Sequence, residues 1–504
     1  MSEVHDVIVA GAGPIGLFVA CELALAKIPV LVLERDAKLE SPWKDGGLGL
    51  RGLSPASMEG FYRRGLMEQV LTFEGRPHFK PGFRFAGMLL NANKLDMSRY
   101  KYRFPGPSLN PGLTYLQHLE EVFLARAESL GVTILRGMSV TDVSQDDSGV
   151  TVRAGDRTFR TKWLAGCDGG RSAVRHAAGF DFVGTEPEFL GYSFTGELDD
   201  PDKLGPAGPH FGTGGMHVVG HLKTYFVLDF ADKTFDRARE PTREHLQKVL
   251  ARVSGSDVKI TKLYHASSFT DRSKQAATYR KGRVVLAGDA AHIHSSLGAQ
   301  GLNLGLGDAM NLGWKLAATI RASRSSEGSP DFTLLDTYDK ERQPVGRWTL
   351  EWTRAQVTAL RPGPFGTAIR NLIHELLHTT DGNNLALDHV WGLSIRYGPE
   401  EEDAHPLVGC SAPDYELEDG ERLGVKLVSG KGLLVSFDNE AELKELADAY
   451  EDKVDYLGIG AKERLGIKAL LVRPDGFVAW VAEDKADLDA AKAALGRWFG
   501  KASK

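Results

Sequence analysis

Cysteine is scarce in this chain. Three cysteines, Cys21, Cys167 and Cys410, occur among 504 residues. They are far apart and form no CxxC pair, so the sequence indicates neither a disulfide framework nor a cysteine zinc site. A reducing compartment fits this composition. Because the first apolar run follows Met1 closely and leaves no room for a signal peptide, we expect a cytoplasmic protein.

Long apolar runs and a charge excess are also missing. No uninterrupted apolar run reaches the length of a membrane span. Lys plus Arg is 61 and Asp plus Glu is 67, and the resulting net charge of -6 argues against nucleic acid or an anionic membrane as the main partner. Since one hydrophobic core rarely serves a chain of this length, we expect two or three domains.

One motif typical of a different enzyme class occurs at His374, Glu375 and His378. HExxH on a helix places two imidazoles on one face, as in zinc-dependent hydrolases. No glycine stands three residues after His378, and no third-ligand motif follows. We therefore interpret the match as coincidental and predict no metal site.

The strongest positive signal is a glycine-rich turn near the start of the chain. The apolar run at residues 7–10 is typical of a buried parallel strand, and Gly11, Gly13 and Gly16 follow it directly. Gly11 permits the tight turn, Gly13 lets backbone N–H groups approach a pyrophosphate, and Gly16 lets the helix pack on the strand. This order predicts a dinucleotide site.

A second strand follows at residues 30–33 and ends in Glu34 and Arg35. A carboxylate at that tip accepts hydrogen bonds from ribose hydroxyls. NAD and FAD remain equally compatible with these residues, because both use the same pyrophosphate site.

An antiparallel sheet is predicted in the middle of the chain. Residues 189–269 alternate short apolar runs with Gly, Pro and Asp clusters, which predicts such a sheet over a substrate cavity. The candidate polar groups of this cavity are His210, His217, His221 and Tyr225.

A second strand–turn–helix unit follows the predicted sheet. Residues 284–287 predict the strand, Asp289 lies in the turn, and a long helix is predicted to begin near Asn303. Asp289 can accept a hydrogen bond from a ribitol or ribose hydroxyl. The N-terminus of the helix can hold a developing negative charge.

Three signatures now stand in one order: GAGPIGL at residues 11–17, CDGGRSAVR at 167–175, and GDAAH at 288–292 with GAQGLN following. With YDKERQPV at 338–345, the chain resembles the FAD-dependent aromatic hydroxylases of the p-hydroxybenzoate hydroxylase and phenol hydroxylase type. The resemblance covers nearly all of the chain. It implies an α/β fold with a Rossmann-like FAD-binding domain, an inserted antiparallel-sheet substrate domain and a thioredoxin-like C-terminal domain.

The resemblance also implies domain boundaries. We expect the FAD-binding domain at 1-75, 106-185 and 275-360, the substrate-binding sheet domain at 76-105 and 186-274, a helical connection at 361-404, and the thioredoxin-like domain at 405-504. Because the last domain contains no CxxC, it cannot perform dithiol redox chemistry. We expect it to support packing or a homodimer.

The residue roles implied by the resemblance form one cofactor site. Gly11, Gly13 and Gly16 would hold the FAD pyrophosphate, and Glu34 with Arg35 would lie at the adenosine ribose. The other implied contacts are Arg51 as the loop arginine, Gln117 at the flavin, Asp168 at the cofactor and NADPH, Asp289 at the ribitol, and the turn containing Gly298, Gly301, Leu302 and Asn303 against the isoalloxazine. Many family members have proline where this chain has Ser296.

The implied reaction is the hydroxylation of a phenolic or polycyclic aromatic substrate. NADPH or NADH would reduce the flavin, dioxygen would form a flavin hydroperoxide, and the electron-rich ring would attack it. A single GxGxxG agrees with a family that has no separate NADPH domain. The catalytic base stays unassigned, with His294, Tyr225 and His217 as candidates.

Two alternatives use the same fold. A Baeyer-Villiger or epoxidising flavin monooxygenase would use the same cofactor on a different substrate bond. A non-catalytic FAD-binding regulator would bind FAD without consuming NADPH in the presence of any aromatic compound.

Overall fold

The structure is a computed structural model that describes residues 4–71, 83–231, 240–325, 331–398, 404–484 and 486–502. The strands in chain order are β1 (Val4–Ala10), β2 (Val30–Glu34), β3 (Leu50–Leu53), β4 (Arg84–Phe85), β5 (Met88–Leu89), β6 (Gly112–Tyr115), β7 (Thr133–Arg136), β8 (Val140–Asp146), β9 (Gly149–Ala154), β10 (Arg157–Gly166), β11 (Phe182–Thr185), β12 (Leu190–Leu198), β13 (Gly208–Phe211), β14 (Gly215–Val219), β15 (Thr224–Asp229), β16 (Ile260–Thr270), β17 (Ser273–Ala276), β18 (Arg280–Lys281), β19 (Val284–Leu286), β20 (His292–Ile293), β21 (Gly432–Ser436), β22 (Val454–Gly458), β23 (Ala469–Val472) and β24 (Val478–Ala482).

The α-helices in chain order are α1 (Pro14–Leu25), α2 (Gly46–Gly49), α3 (Pro55–Arg63), α4 (Met67–Val70), α5 (Leu116–Ser129), α6 (Ala173–Ala177), α7 (Arg243–Ser254), α8 (Gly301–Ser325), α9 (Thr333–Leu360), α10 (Pro364–His378), α11 (Thr380–Trp391), α12 (Ala441–Asp448) and α13 (Leu488–Phe499). None of the helices in these described ranges is long and apolar enough to cross a membrane.

The largest sheet carries the predicted cofactor motifs. Its main path is β18-β19-β10-β1-β2-β7, in which β1, β2, β7, β10 and β19 are parallel. The run at residues 7–10 is fully buried, as a strand with helices on both faces requires. Helix α1 packs between the sheet and the helices α5 and α8. Because the strands are parallel, the loops after them meet at one edge of the sheet.

The predicted antiparallel sheet is present, with the order β13-β14-β15-β12-β16. One face packs on α7, where Phe194 and Tyr225 contact a cluster that includes Leu246 and Leu250. The other face contributes Met216 and Leu228 to a second cluster, shared with segment 83–90 and the helices α9 and α11. The two faces therefore have different neighbours.

The C-terminal region forms the predicted thioredoxin-like sheet. Its order is β22-β21-β23-β24, with β21 and β22 parallel and the β21–β23 and β23–β24 pairs antiparallel. The cysteines of the chain are all free.

Two local details concern the helices. Residues 55–70 form two helices, α3 and α4, because Gly65 adopts φ +67° between them. The long helix expected near Asn303 begins at Gly301. The expected domain boundary at residues 75 and 76 lies outside the described residues.

A buried ion cluster joins the C-terminal domain to the FAD-binding region. Arg473 donates to Glu341 at 2.7 and 2.9 Å and also pairs with Asp475, and Lys315 donates to Glu341 at 2.6 Å. Arg473 and Lys315 are at most 1% exposed. Burial alone would raise the pKa of Glu341, but Arg473 and Lys315 outweigh that effect and lower it to about 2. Glu341 is therefore ionised and pairs with the buried Arg473 and Lys315. Burial lowers the pKa of Lys315 to about 7, and the negative charge of Glu341 opposes that effect.

We expect Glu341→Gln to destabilise the protein by about 3–5 kcal/mol, because it leaves the buried Lys315 without an anion and removes one of the two anions that pair with the buried Arg473. Urea unfolding of the FAD-loaded protein measures the effect. Glu351→Gln, at an exposed position of the same helix, is the control and should leave the midpoint unchanged. Equal midpoints for both variants would show that the cluster does not stabilise the domain contact.

Candidate active site

The three motif glycines occupy the turn from β1 to α1. Gly11 adopts φ +104°, and a Cβ there would lie 2.4 Å from the carbonyl oxygen of Cys167. A Cβ on Gly16 would lie 1.9 Å from the carbonyl oxygen of Gly11, so both positions require glycine. Around Gly13, by contrast, no atom lies within 4 Å of a Cβ position. That open space, at the N-terminus of α1, fits a pyrophosphate.

Glu34 and Arg35 differ in their surroundings. The buried Glu34 carboxylate accepts from the backbone N–H groups of Ala12 at 2.5 Å and Asp36 at 2.8 Å. These bonds fix the carboxylate beside the glycine turn, and the remaining lone pairs can accept from a ribose. The Arg35 guanidinium is exposed and lies 3.4 Å from Asp36.

Two further predicted contacts lie on the strand pair β3–β6 and the helix that follows it. The Arg51 guanidinium donates to the carbonyls of Leu48 and Leu50, both at 2.9 Å. Burial lowers the pKa of Arg51, and the negative charge of Asp289 opposes that effect. Gln117 is the second residue of α5, and its backbone N–H donates to the Lys44 carbonyl at 2.9 Å. Arg51 therefore shares an electrostatic environment with Asp289.

The Asp168 carboxylate is held by its own loop. It accepts from the Ser172 hydroxyl at 2.5 Å and from the Val174 N–H at 3.1 Å, at the start of α6. Arg175 donates to the carbonyl of Ala290 at 2.9 Å and to that of Gly170 at 3.0 Å. Arg175 thus joins the loop after β10 to the loop after β19.

Asp289 follows β19 at the same edge. Its side chain is accessible to solvent, yet burial raises the pKa of its carboxyl. A carboxylate with both properties lines a recess in the protein. The residue before it, Gly288, adopts φ +64°, and its N–H donates to the buried carboxylate of Asp308 at 3.0 Å.

His294 is the candidate base that lies at this edge. Its Nδ1 contacts the carbonyl of Ser295 at 2.8 Å, which requires the proton on Nδ1 and leaves a lone pair on Nε2. Nε2 is buried and has no hydrogen-bond partner among the described residues. A Cβ on Gly301 would lie 3.5 Å from this nitrogen and 3.9 Å from Asp289. Burial lowers the pKa of His294 to about 4, so the ring is neutral at pH 7.

The turn that leads into α8 contains the other predicted flavin contacts. Gly298 adopts φ +84°, and Gly301 and Leu302 begin the helix. The Asn303 side chain is used within the protein: its oxygen accepts from the N–H of Ser54 and the hydroxyl of Ser57, both at 2.8 Å. Its amide donates to Gly52 and Ala299. Only the backbone of Asn303 is therefore free to face a cofactor.

The structure places the two candidate bases from the antiparallel sheet on the face that carries α7. Tyr225 stacks on Phe194 with ring centroids 5.2 Å apart, on the face that packs against α7. His217 contacts the Leu204 carbonyl at 3.0 Å and stacks on His210 at 5.1 Å. Its strand neighbour Met216 points to the opposite face. Since side chains alternate along a strand, Tyr225 and His217 face away from the cavity side.

Sequence reasoning missed Asp308 and Arg342. Asp308 accepts from His292 at 2.7 Å and from Arg342 at 2.9 Å, and Arg342 continues to the hydroxyl of Tyr397 at 3.0 Å. Burial alone would raise the pKa of Asp308, but His292 and Arg342 hold it below its usual range. The available signal was an acid and a base, Asp308 and Arg342, among the buried residues of two long helices.

Comparison with known proteins agrees with this geometry. The FAD binding domain model matches residues 4–353, and the model of the aromatic-ring hydroxylase C-terminal domain matches residues 405–502. The chain is 49% identical over 501 residues to a monooxygenase of Claviceps purpurea (strain 20.1), covering 98% of this chain and 97% of that one. It is 37% identical over 526 residues to a 12-dehydrotetracycline 5-monooxygenase/anhydrotetracycline 6-monooxygenase of Streptomyces rimosus, covering 98% and 99%.

A solved structure extends the likeness to three dimensions. The anhydrotetracycline hydroxylase OxyS from Streptomyces rimosus superposes with a TM-score of 0.86 at 35% identity, covering 99% of this chain and 100% of that one. The chain therefore belongs to the FAD-binding aromatic-ring hydroxylase family. It is an FAD-dependent monooxygenase, with the NAD(P)H co-substrate typical of these enzymes. The predicted family, fold class, activity and cofactor are confirmed.

We expect Asp289→Ala to weaken FAD binding about tenfold to a hundredfold, because a charge-assisted hydrogen bond contributes about 1.5–3 kcal/mol. Equilibrium dialysis of FAD and the visible flavin spectrum measure the change. Asp156→Ala, in an exposed turn, is the matched control. An FAD affinity and spectrum equal to those of the control would show that Asp289 does not contact the cofactor.

We expect His294 to make stability fall on acidification. Its folded pKa of about 4 lies below the ordinary value, so between pH 7 and pH 5 the unfolded chain takes up a proton that the folded chain does not. Wild type should lose about 1–2 kcal/mol more than His294→Asn over this interval. Urea unfolding of each protein at both pH values tests this. His176→Asn, at an exposed histidine, should behave as wild type; identical losses in wild type and His294→Asn would contradict the burial of a neutral ring.

Proposed function

We propose that this enzyme hydroxylates a polycyclic phenol, with the FAD held across the edge where the parallel strands end. The observation that carries the proposal is a single loop, residues 294–300. It begins at His294, which lies together with Asp289 around Gly301, and through Leu297 it packs on the apolar cluster beneath the antiparallel sheet. One loop therefore contacts both the predicted cofactor recess and an aromatic wall.

The cofactor contacts are proposed residue by residue. Backbone N–H groups around Gly13 bind the pyrophosphate, Glu34 binds the adenosine ribose with Arg35 at the rim, and Asp289 binds the ribitol. Arg51 and Gln117 lie near the flavin, and Asp168 fixes the loop after β10.

The first turn of α8 supplies the electrostatic contribution. The positive end of the helix dipole and the backbone N–H groups from Gly298 to Asn303 stabilise negative charge on the reduced ring. FAD supplies the redox chemistry and oxygen activation when bound. The chain excludes water and orients the substrate.

The substrate wall is proposed from one apolar cluster. Met216 and Leu228 of the sheet, Phe83 and Phe85 of the hairpin segment, and Leu297 pack in it. Phe85 also meets Trp352 of α9 edge-to-face, with ring centroids 4.6 Å apart. Aromatic and apolar side chains of this kind favour a flat ring system. The tetracycline-related activities in the names of two relatives support a polycyclic substrate.

His294 is proposed as a hydrogen-bond acceptor in this site rather than as the base. A general base works best when its pKa lies near the operating pH. With a pKa of about 4, the neutral His294 ring holds a proton too weakly for that task, while its Nε2 lone pair can accept from a cofactor or substrate N–H or O–H.

We expect FAD-loaded enzyme to oxidise NADPH faster in the presence of its substrate and to add one oxygen atom to the ring. Phenols and polycyclic phenols, including anhydrotetracycline, form the test panel. NADPH absorbance gives the rate, and mass spectrometry with NMR gives the product. Oxygen inserted into a C–C bond or across an alkene would replace hydroxylation with Baeyer-Villiger or epoxidising chemistry.

The regulator alternative predicts a different outcome. If FAD binds tightly but no compound accelerates NADPH oxidation and the flavin stays oxidised, the hydroxylase proposal fails. Asp289→Ala protein should show no stimulated oxidation under the same conditions.

A further inference from the structure

A cavity of about 340 Å³ lies at the junction of α3, α8, α9 and α11, with residues of the C-terminal domain at one end. Its volume falls within the range of about 300–1,000 Å³ typical of small-molecule sites, which favour domain interfaces. None of the cofactor roles proposed above requires it.

The first turn of α8 separates this cavity from the cofactor edge. The Asn303 side chain, which lines the cavity, bonds to Ser54 and Ser57 on one side of the turn and to Ala299 on the other. Gln300, also in the lining, donates to the Gly298 carbonyl at 2.8 Å. Because these amides are bonded within the protein, they hold the first turn of α8 in place between the cavity and the cofactor edge.

Small residues create the space, and apolar residues form its floor. Ala56 and Gly60 lie four residues apart on α3 and so share one face of the helix. Leu304 and Met310 of α8 are buried beneath them. A Cβ on Gly60 would lie 3.5 Å from Met310, which is ordinary contact, so this position has room for the Cβ of an alanine.

Aromatic rings and an acid stand on the opposite wall. Trp348 of α9 stacks on His389 of α11, with ring centroids 4.3 Å apart and planes 24° apart. Beside His389, Asp388 also lines the cavity, and its Oδ1 is buried with no hydrogen-bond partner among the described residues. A buried acceptor without a donor is unfavourable, so a ligand hydroxyl that donates to it would be favoured.

We propose that this cavity is a second binding site for a fused-ring phenol, separate from the flavin face. The ring system lies on the Leu304–Met310 floor against Trp348, and its hydroxyl donates to Asp388. The chemical class is that of the proposed substrate, so substrate or product occupies this site without reacting there. The site lies outside the proposed reaction, but the identity of its ligand rests on the proposed function.

A heavy-atom probe locates the site directly. Crystals of the FAD-loaded enzyme soaked with 6-bromo-2-naphthol should give an anomalous bromine peak between Trp348 and Met310. A peak only at the flavin face, or none in the soaked crystals, overturns the proposal. The first of these results leaves the proposed function intact.

Variants at Gly60 test the site in solution. Gly60→Leu fills the cavity, whereas the matched control Gly60→Ala adds only a Cβ. Equilibrium dialysis of 6-bromo-2-naphthol with holoenzyme should show one bound molecule fewer per chain for Gly60→Leu than for wild type and Gly60→Ala. The probe-induced change in the flavin visible spectrum, which reports the flavin face, should be the same in all three.

Two results would contradict the second site. Equal stoichiometry for Gly60→Leu and Gly60→Ala shows that the cavity binds no probe. Loss of the flavin spectral change together with the bound molecule in Gly60→Leu shows a single site continuous with the flavin face. Asp388→Leu should weaken binding about tenfold at the spectrally silent site only; an unchanged affinity there removes the hydroxyl contact from the proposal.

Discussion

The buried carboxylate of Asp308 is the contact on which the rest of the site depends. It accepts from the N–H of Gly288, from His292 and from Arg342, and so joins the turn after β19 to the helices α8 and α9. A buried charge is tolerated only when it is paired and fully hydrogen-bonded, as it is here. Because Gly288 precedes Asp289, the same contact sets the direction of the Asp289 side chain, which is predicted to bind the ribitol.

The helical region is more than a connection between domains. Carboxamides of α9 and α11 hydrogen-bond to the backbone of the segment that carries the aromatic wall: Gln356 accepts from Ala86 at 3.0 Å, Asn383 accepts from Asn91 at 2.9 Å, and Asn384 accepts from Asp96 at 2.8 Å. Arg342 extends the Asp308 contact to Tyr397. One set of helices therefore contacts both the turn proposed to bind the cofactor and the wall proposed to bind the substrate.

The sequence predicted the glycine turn well, because the steric requirement there falls on single residues of one short motif. Gly11 and Gly16 can only be glycine, because backbone atoms stand where a Cβ would be, and such positions leave a readable pattern. The sheet candidates show the opposite case. Tyr225 and His217 lie on predicted strands, but which face of a strand meets the cavity depends on α7, a helix whose position along the chain does not reveal what it covers.

The sequence by itself determined the strand–turn–helix units, the FAD-type motifs and the family, because each is written in residues close together in the chain. Tertiary structure alone decided the Asp308 contact, the neutral His294 ring, the internal use of the Asn303 side chain, and the cavity behind α8. These features join residues far apart in sequence, and their energies come from burial, which no local pattern encodes. The features that sequence predicts and those that only tertiary structure decides therefore differ in how far apart along the chain the interacting residues lie.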